Sequence, residues 1–212
     1  MMSPGVINLM IHSDAELLQL MFIGDEQAFT ALYRRHQGIV YRFALLMSGQ
    51  ASIAEEVTQE VFLALLRQAH LYDPSRGSLR SYLCGAARNQ VLRLIARERP
   101  YLQLVEEGGE GEPVTVAQLS DGDDPLNNLT RNETIKLVRQ AVLALPVRYR
   151  EVIVLCDFQE LSRVEAALAL DCPVGTVNSR LHRGHALLLK KLRAAVKLDP
   201  KASSAQGRRC FA

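Results

Sequence analysis

The chain has 212 residues, 48% of them apolar and 23% charged, with four cysteines and a formal net charge of +2. That is length for one or two domains of ordinary globular composition. With no apolar run near the roughly 18 residues of a membrane span, no basic-then-apolar leader at Met1–Gly5 and no Cys-x-x-Cys among Cys84, Cys156, Cys172 and Cys210, a membrane protein, a secreted disulfide scaffold and a zinc ribbon are all disfavoured, and a reducing cytoplasm is expected.

Apolar residues recur at helical spacing almost throughout. Ser13…Glu16 has the pattern of a capping box, in which the serine oxygen takes an early backbone N–H and the glutamate reaches back. Over 25–48, Phe29, Leu32, Tyr33, Val40, Phe43 and Met47 share one face. Ser52…Glu55 repeats the capping pattern before Ala54, Val57, Val61, Leu65 and Ala69. The run Asp73-Pro74-Ser75-Arg76-Gly77 is a turn by composition. A helix over about 78–98 presents Leu79, Leu83, Ala87, Val91 and Leu94. No alternating run argues for a sheet. An all-α protein is expected, with two helical domains flanking a linker.

Charge is sorted along the chain. Residues 1–99 carry ten Arg and nine acids, a net of +1; residues 100–128 carry seven acids and no base; residues 129–212 carry 15 bases and seven acids, a net of +8. The Gly- and acid-rich stretch Glu106–Pro113 cannot bury a core and is read as a flexible acidic linker, 100–128. The domains are thus expected at 1–99 and 129–198, with a disordered tail at 199–212. The basic C-terminal part suits either a nucleic-acid partner or a solvated face.

Leu161–Leu170 is a short helix opened by a third capping pattern, Ser162…Glu165, and Asp171-Cys172 is a tight connection that needs a residue at positive φ. Pro173 fits the first turn of a second helix running to about Arg193. Ala166, Ala167 and Gly175 are small enough for a close crossing, and Val174, Val177, Leu181 and Leu188 are expected inward. Thr176, Asn178, Ser179, Arg180, His182 and Arg183 then lie outward near the helix N-terminus, the end that enters the major groove in helix-turn-helix proteins. Asn and Arg pair with base edges, and Thr, Ser and helix N-termini serve phosphates. A plain helical hairpin is the alternative; the small crossing residues and the basic outer helix favour DNA.

Two further sets stand out. Glu55, Glu56, Gln59 and Glu60 form an acidic patch opposite the apolar stripe, either solvated or docked on a basic partner helix. Arg76, Arg80, Arg88, Arg93, Arg97 and Arg99, with Tyr82 and Asn89, stud the next turn and helix in a manner suited to single-stranded nucleic acid. His182 and His185 lack the further ligands of a metal site. Cys210 lies among basic residues, which favour a thiolate, but reads as an incidental cysteine. There is neither a nucleophile elbow nor a Gly-rich phosphate loop. The expectation is a non-enzyme with no metal and no cofactor.

Three strings in order carry a family resemblance: Ala54-Glu55-Glu56-Val57-Thr58-Gln59-Glu60-Val61-Phe62; Tyr72 to Leu83 with Ala87-Arg88-Asn89; and Leu145-Pro146-x-x-Tyr149-Arg150-Glu151-Val152 leading to Pro173-Val174-Gly175-Thr176-Val177-Asn178-Ser179-Arg180-Leu181-His182-Arg183. Over about 14–195 the chain resembles bacterial sigma factors of the extracytoplasmic-function (ECF) type, in the sigma-70 family. The resemblance implies a cytoplasmic bacterial protein that binds core RNA polymerase, through its β′ clamp and β subunits, and initiates transcription at promoter DNA. It implies core-polymerase binding by Glu55, Glu56, Gln59 and Glu60. It implies −10 DNA binding by Tyr72, Asp73, Arg76, Ser78, Arg80, Arg88 and Asn89, with a flipped base held in the loop. It implies −35 DNA binding by Thr176, Asn178, Ser179, Arg180 and Arg183. The acidic linker would thread toward the RNA exit channel, and an anti-sigma factor is a usual partner. Asp171 stands where the family frequently has Gly. A stand-alone helix-turn-helix repressor or activator is the alternative, but it has no use for the acidic patch or the 72–99 arginines.

Overall fold

A computed structural model describes residues 12–68, 72–98 and 125–198, which among themselves contain helices and turns and no strand. Helix α1 (Asp14–Phe22) opens with the expected box: Glu16 Oε2 accepts from Ser13 N at 2.7 Å, and Ser13 Oγ accepts from Glu16 N at 3.3 Å. Asp25 starts α2 (Glu26–Ser48) by accepting from Gln27 N at 2.8 Å and Ala28 N at 3.2 Å. Gly49, at φ 76°, ends α2 in the left-handed region that a side chain disfavours.

Helix α3 (Ala51–Gln68) then begins earlier than the capping pattern suggests. Ser52 lies inside its first turn, with Ala54 N already donating to Gln50 O at 3.1 Å. The reason is Gly49: its reversal frees the chain to restart helix at once, so Ser52 is no cap. After the 73–77 turn comes α4 (Leu79–Glu98). Leu17, Leu32, Val40, Phe43, Met47, Val57, Val61, Leu65, Leu83 and Val91 are all at most 1% exposed and form the core of α1–α4. Each such side chain contributes about 1.5–3 kcal/mol by leaving water. Tyr33 and Phe62 meet edge to face, 4.8 Å between centroids, and tie α2 to α3.

The C-terminal part starts with α5 (Pro125–Leu143), so the last four residues of the stretch assigned to the linker are helical, with Pro at a first helical position that needs no N–H. The rest of the acidic run, the 199–212 tail with Cys210, Ala69 and Arg99 lie outside the described residues. Helix α6 (Val147–Ile153) runs on into a π-helical turn (Val154–Phe158), then come α7 (Arg163–Leu170) and α8 (Val174–Leu198). Ser162 and Glu165 complete a capping box at the start of α7. Asp171 supplies the positive φ of the connection, at 49°.

Two details of the crossing differ from expectation. A Cβ on Gly175 would meet nothing within 4 Å, whereas one on Gly184 would lie 3.1 Å from Ile153 Cγ1 and 3.5 Å from Tyr149 O. Gly184, on the inner face of α8, is therefore the residue that lets α8 approach α6. Val174, in the first turn of α8 and clear of that crossing, is 37% exposed, and Leu188 is half-buried, while Val177 and Leu181 are buried as expected.

The two helical parts also pack on each other. Helix α4 lies against α7, and α2 against α5 and α6. Arg150 donates to Met47 O of α2 at 2.6 Å, to Leu145 O at 2.9 Å and to Leu143 O, and Leu143 covers Gly49. The sequence leads one to expect separate units on a tether. The seam escapes hydropathy because its buried residues join both parts in one apolar cluster crossed by hydrogen bonds, and periodicity marks a helix's apolar face without saying which helix covers it.

Candidate polymerase and nucleic-acid surfaces

On α3, Glu55, Glu56, Gln59 and Glu60 are all exposed, because Ala54, Val57, Thr58 and Val61 take the inward positions. Two features extend the patch beyond the sequence reading. Leu63 and Leu66, 39% and 45% exposed, continue its face toward the helix C-terminus. Beside it lies a shallow cleft of about 390 Å³ lined by Tyr33, Gln37, Gly38, Tyr41, Glu55, Thr58 and Gln59. The leucines were legible from helical spacing, Leu63 three residues beyond Glu60 and Leu66 three beyond Leu63; the α2 residues come alongside only through tertiary packing.

In the second set, Tyr72 stacks at a tilt on Tyr82, 5.4 Å between centroids, and its hydroxyl donates to Gly77 O at 3.0 Å, closing the turn. Burial pushes the Tyr72 phenol up, helped by the negative charges of Asp14 and Asp73. Asp73 Oδ1 accepts from Ser75 Oγ at 2.7 Å and Ser75 N at 2.9 Å, and these bonds hold its carboxyl below the usual range. Asp73, Arg76 and Asn89 face water.

Arg80 and Arg88, both half-buried, and Ser78, itself exposed, meet the C-terminal part. Ser78 Oγ donates to Glu165 Oε1 at 2.7 Å, Arg80 to Gln159 O, and Arg88 to Glu151 with Nε–Oε1 at 3.0 Å. Ser81 Oγ adds a bond to Glu165 O at 2.8 Å, and neither Ser81 nor any of these acceptors stood out in the sequence as a partner. The Ser78 hydrogen bond, with those of Ser162 and the nearby Arg80 charge, outweighs burial and lowers the Glu165 carboxyl below its ordinary value. The Cys84 thiol beneath this seam is pushed up to about 12 by burial, and is therefore unreactive.

On α8, Asn178, Ser179, His182 and Arg183 are exposed along one stripe, with Thr176 and Arg180 half-buried at its edges. Ser179 Oγ donates to Thr176 O at 3.0 Å. His185 pairs with Asp157 at 2.7 Å instead of joining His182, and no cluster of three metal-ligating side chains occurs among the described residues. None of the described helices is long and apolar enough to cross a membrane.

Residues 32–101 match the family Sigma-70 region 2, and residues 135–188 match Sigma-70, region 4. The ECF RNA polymerase sigma factor SigW of Bacillus subtilis (strain 168) is 33% identical over 172 residues, covering 80% of this chain and 91% of that protein. The chain belongs to the ECF sigma factor family. As a sigma factor it serves promoter-recognising transcription initiation, and its partners are core RNA polymerase and promoter DNA; a stand-alone repressor is not favoured. ECF SigE of Mycolicibacterium smegmatis is 32% identical over 165 residues, 76% of this chain and 61% of that protein. In fold the sigma factor is similar to CnrH, solved in complex with the cytosolic domain of CnrY (TM-score 0.60, 24% identity, 89% of this chain and 99% of that one). It is also similar to RpoE, solved with the anti-sigma factor NepR from Bartonella quintana (TM-score 0.56, 21% identity, 74% of this chain and 91% of that one).

Proposed function

We propose a division of labour for the three surfaces. The exposed acidic face of α3, Glu55, Glu56, Gln59 and Glu60, docks on the β′ clamp of core polymerase, where opposite charge sets register and speeds encounter. The 72–78 turn and α4 bind the non-template strand at the −10 element through Tyr72, Asp73, Arg76, Ser78, Arg80, Arg88 and Asn89. The first turns of α8 read the −35 duplex: Asn178, Ser179 and Arg183 at base edges, Thr176 and Arg180 at phosphates or packing. Residues 1–99 and 129–198 act as the two working domains, with the acidic 100–128 segment directed toward the RNA exit channel. The protein works in the bacterial cytoplasm as a non-enzymatic subunit, and an anti-sigma partner, of the kind solved with RpoE, is part of this reading.

The observation that carries it is the joint exposure of the α3 acids and the α8 stripe over buried apolar positions on the same helices. Run-off transcription with purified core polymerase tests it. Promoter-dependent initiation is expected, lost in variants of either surface; none at all would leave only a DNA-binding protein.

A further inference from the structure

The cleft of about 390 Å³ beside the acidic face of α3 has two unlike walls. On α2, Tyr33, Gln37 and Tyr41 follow one another at four-residue steps, so the two tyrosines stand about 12 Å apart along the helix axis with an amide between them. On α3, Glu55, Thr58 and Gln59 face them. Gly38 leaves the wall between the rings without a side chain: the atoms nearest to a Cβ there all belong to the Arg42 guanidinium, Nη1 at 3.1 Å, and Arg42 is itself exposed.

The rings are held in place before anything enters. Tyr33 rests on Phe62 at 4.8 Å and on Phe29 at 6.2 Å between centroids. With Phe62 of α3 fixed beside Tyr33, Glu55 lies two turns back along α3 and Tyr41 two turns on along α2, so both belong to the opposite end of the cleft.

The polar groups here are unspent. Among the described residues, the Tyr33 and Tyr41 hydroxyls, the Gln37 and Gln59 amides and the Glu55 carboxylate make no hydrogen bond or ion pair. Neighbours on the same helices do: Arg35 donates to Asp14 at 2.6 Å, and Thr58 Oγ1 to Ala54 O at 2.7 Å. A carboxylate beside an aromatic face, ringed by acceptors, suits a cation carried on an apolar stem, which lies along the bare Gly38 wall while the charge meets ring and carboxylate. A purely apolar entrant would strip water from Glu55 and the two amides and give them nothing in return. Arg42 has no acidic partner among the described residues, and its exposed guanidinium can turn to water as a second cation arrives.

We infer that this cleft seats one arginine or lysine side chain of core polymerase, its head group between the Glu55 carboxylate and the Tyr41 ring, so that α2 as well as α3 grips the enzyme. The inference rests on the α3 docking role proposed above and adds Gln37, Gly38 and Tyr41 to it.

The test uses the full chain with purified core polymerase, affinity being read by competition against the labelled natural chain. Gly38→Leu plugs the cleft without altering charge, Tyr41→Leu removes a ring that Tyr41→Phe keeps, and Glu55→Gln removes the carboxylate. Gly38→Leu, Tyr41→Leu and Glu55→Gln are each expected to weaken binding several-fold, and Tyr41→Phe to leave it nearly unchanged. Glu55→Gln should cost little more once Gly38→Leu is present, because both break one contact. Losses that simply add would overturn the shared contact. A weakened Gly38→Leu beside normal Tyr41→Leu and Glu55→Gln would mean an apolar entrant and overturn the cation. Normal binding by all three, with Glu56→Arg plus Glu60→Arg defective, would overturn the cleft contact and keep the α3 docking. Normal binding by Glu56→Arg plus Glu60→Arg would overturn the docking role, and the cleft contact with it.

Discussion

The Arg88 guanidinium reaches across 63 positions of sequence to grip Glu151, a residue only 2% exposed. The pair joins α4 to α6 and leaves the carboxylate little access to water. Removing a buried charge's partner strands that charge. Because the Arg88 side chain is itself 24% exposed, water softens the loss. Arg88→Ala is expected to cost about 1–3 kcal/mol, read from the urea midpoint, while Arg88→Lys recovers part of it.

Docking by the α3 acids predicts that Glu56→Arg with Glu60→Arg abolishes co-purification with core polymerase. Both positions are exposed, so the far-ultraviolet circular dichroism should not change. Normal core binding by this double variant would sink the docking role.

At the −35 element, Arg183→Ala should cost about 1–3 kcal/mol at one base position if the guanidinium is bidentate there. Competition binding across single-base variants of the site measures it. Equal weakening on every sequence would assign Arg183 to phosphate.

The two glycines of α8 should behave oppositely. Gly184→Val meets Ile153 and the Tyr149 carbonyl at the crossing, and overpacking of this kind costs about 1–3 kcal/mol. Gly175 has open space around its missing Cβ, so Gly175→Ala is expected to be neutral or to stabilise by up to about 1 kcal/mol through helix propensity. Thermal unfolding of both variants checks the pair.

Glu165 gives the closed seam an acid-sensitive component. Its carboxyl is held below its ordinary 4.5, first by the Ser78 hydrogen bond, against a smaller opposing effect of burial. A depressed folded-state value means the stabilisation is complete above that ordinary value and fades as pH falls through the lower folded-state value. Since the group is mostly solvated, the effect is small. Urea midpoints followed from neutral pH into acid should fall less steeply in Ser78→Ala than in the natural chain; identical slopes would remove Ser78 as the cause.

Much of the fold was legible because local chemistry writes it. Ser13 and Ser162 cap where hydroxyl oxygens meet free N–H groups, and Asp171 takes the left-handed turn. The misses share a cause. Ser52, Gly175 and Val174 were assigned from spacing alone, whereas their roles depend on what lies opposite: Gly49 ends α2 before Ser52 can cap, and the crossing falls at Gly184. The same holds for the candidate surfaces. Individual donors such as Arg80 and Arg88 were visible as basic residues on a helix, but Glu151, Gln159 and Glu165 gave no sign of being their acceptors. Polar pairing across 63 to 87 positions leaves no periodic trace.

The unequal exposure of the two basic surfaces bears on ionic strength. Cations that replace condensed counterions on DNA make binding fall steeply with salt, with a slope of about −0.9 per phosphate neutralised on duplex and about −0.7 on single strands. The open stripe of α8 should follow that law. Arg88 arrives already paired with the Glu151 carboxylate, and Arg80 is held by the neutral Gln159 carbonyl with the Glu165 charge nearby. Strand capture by the free chain should therefore respond more weakly to added potassium chloride than duplex capture does.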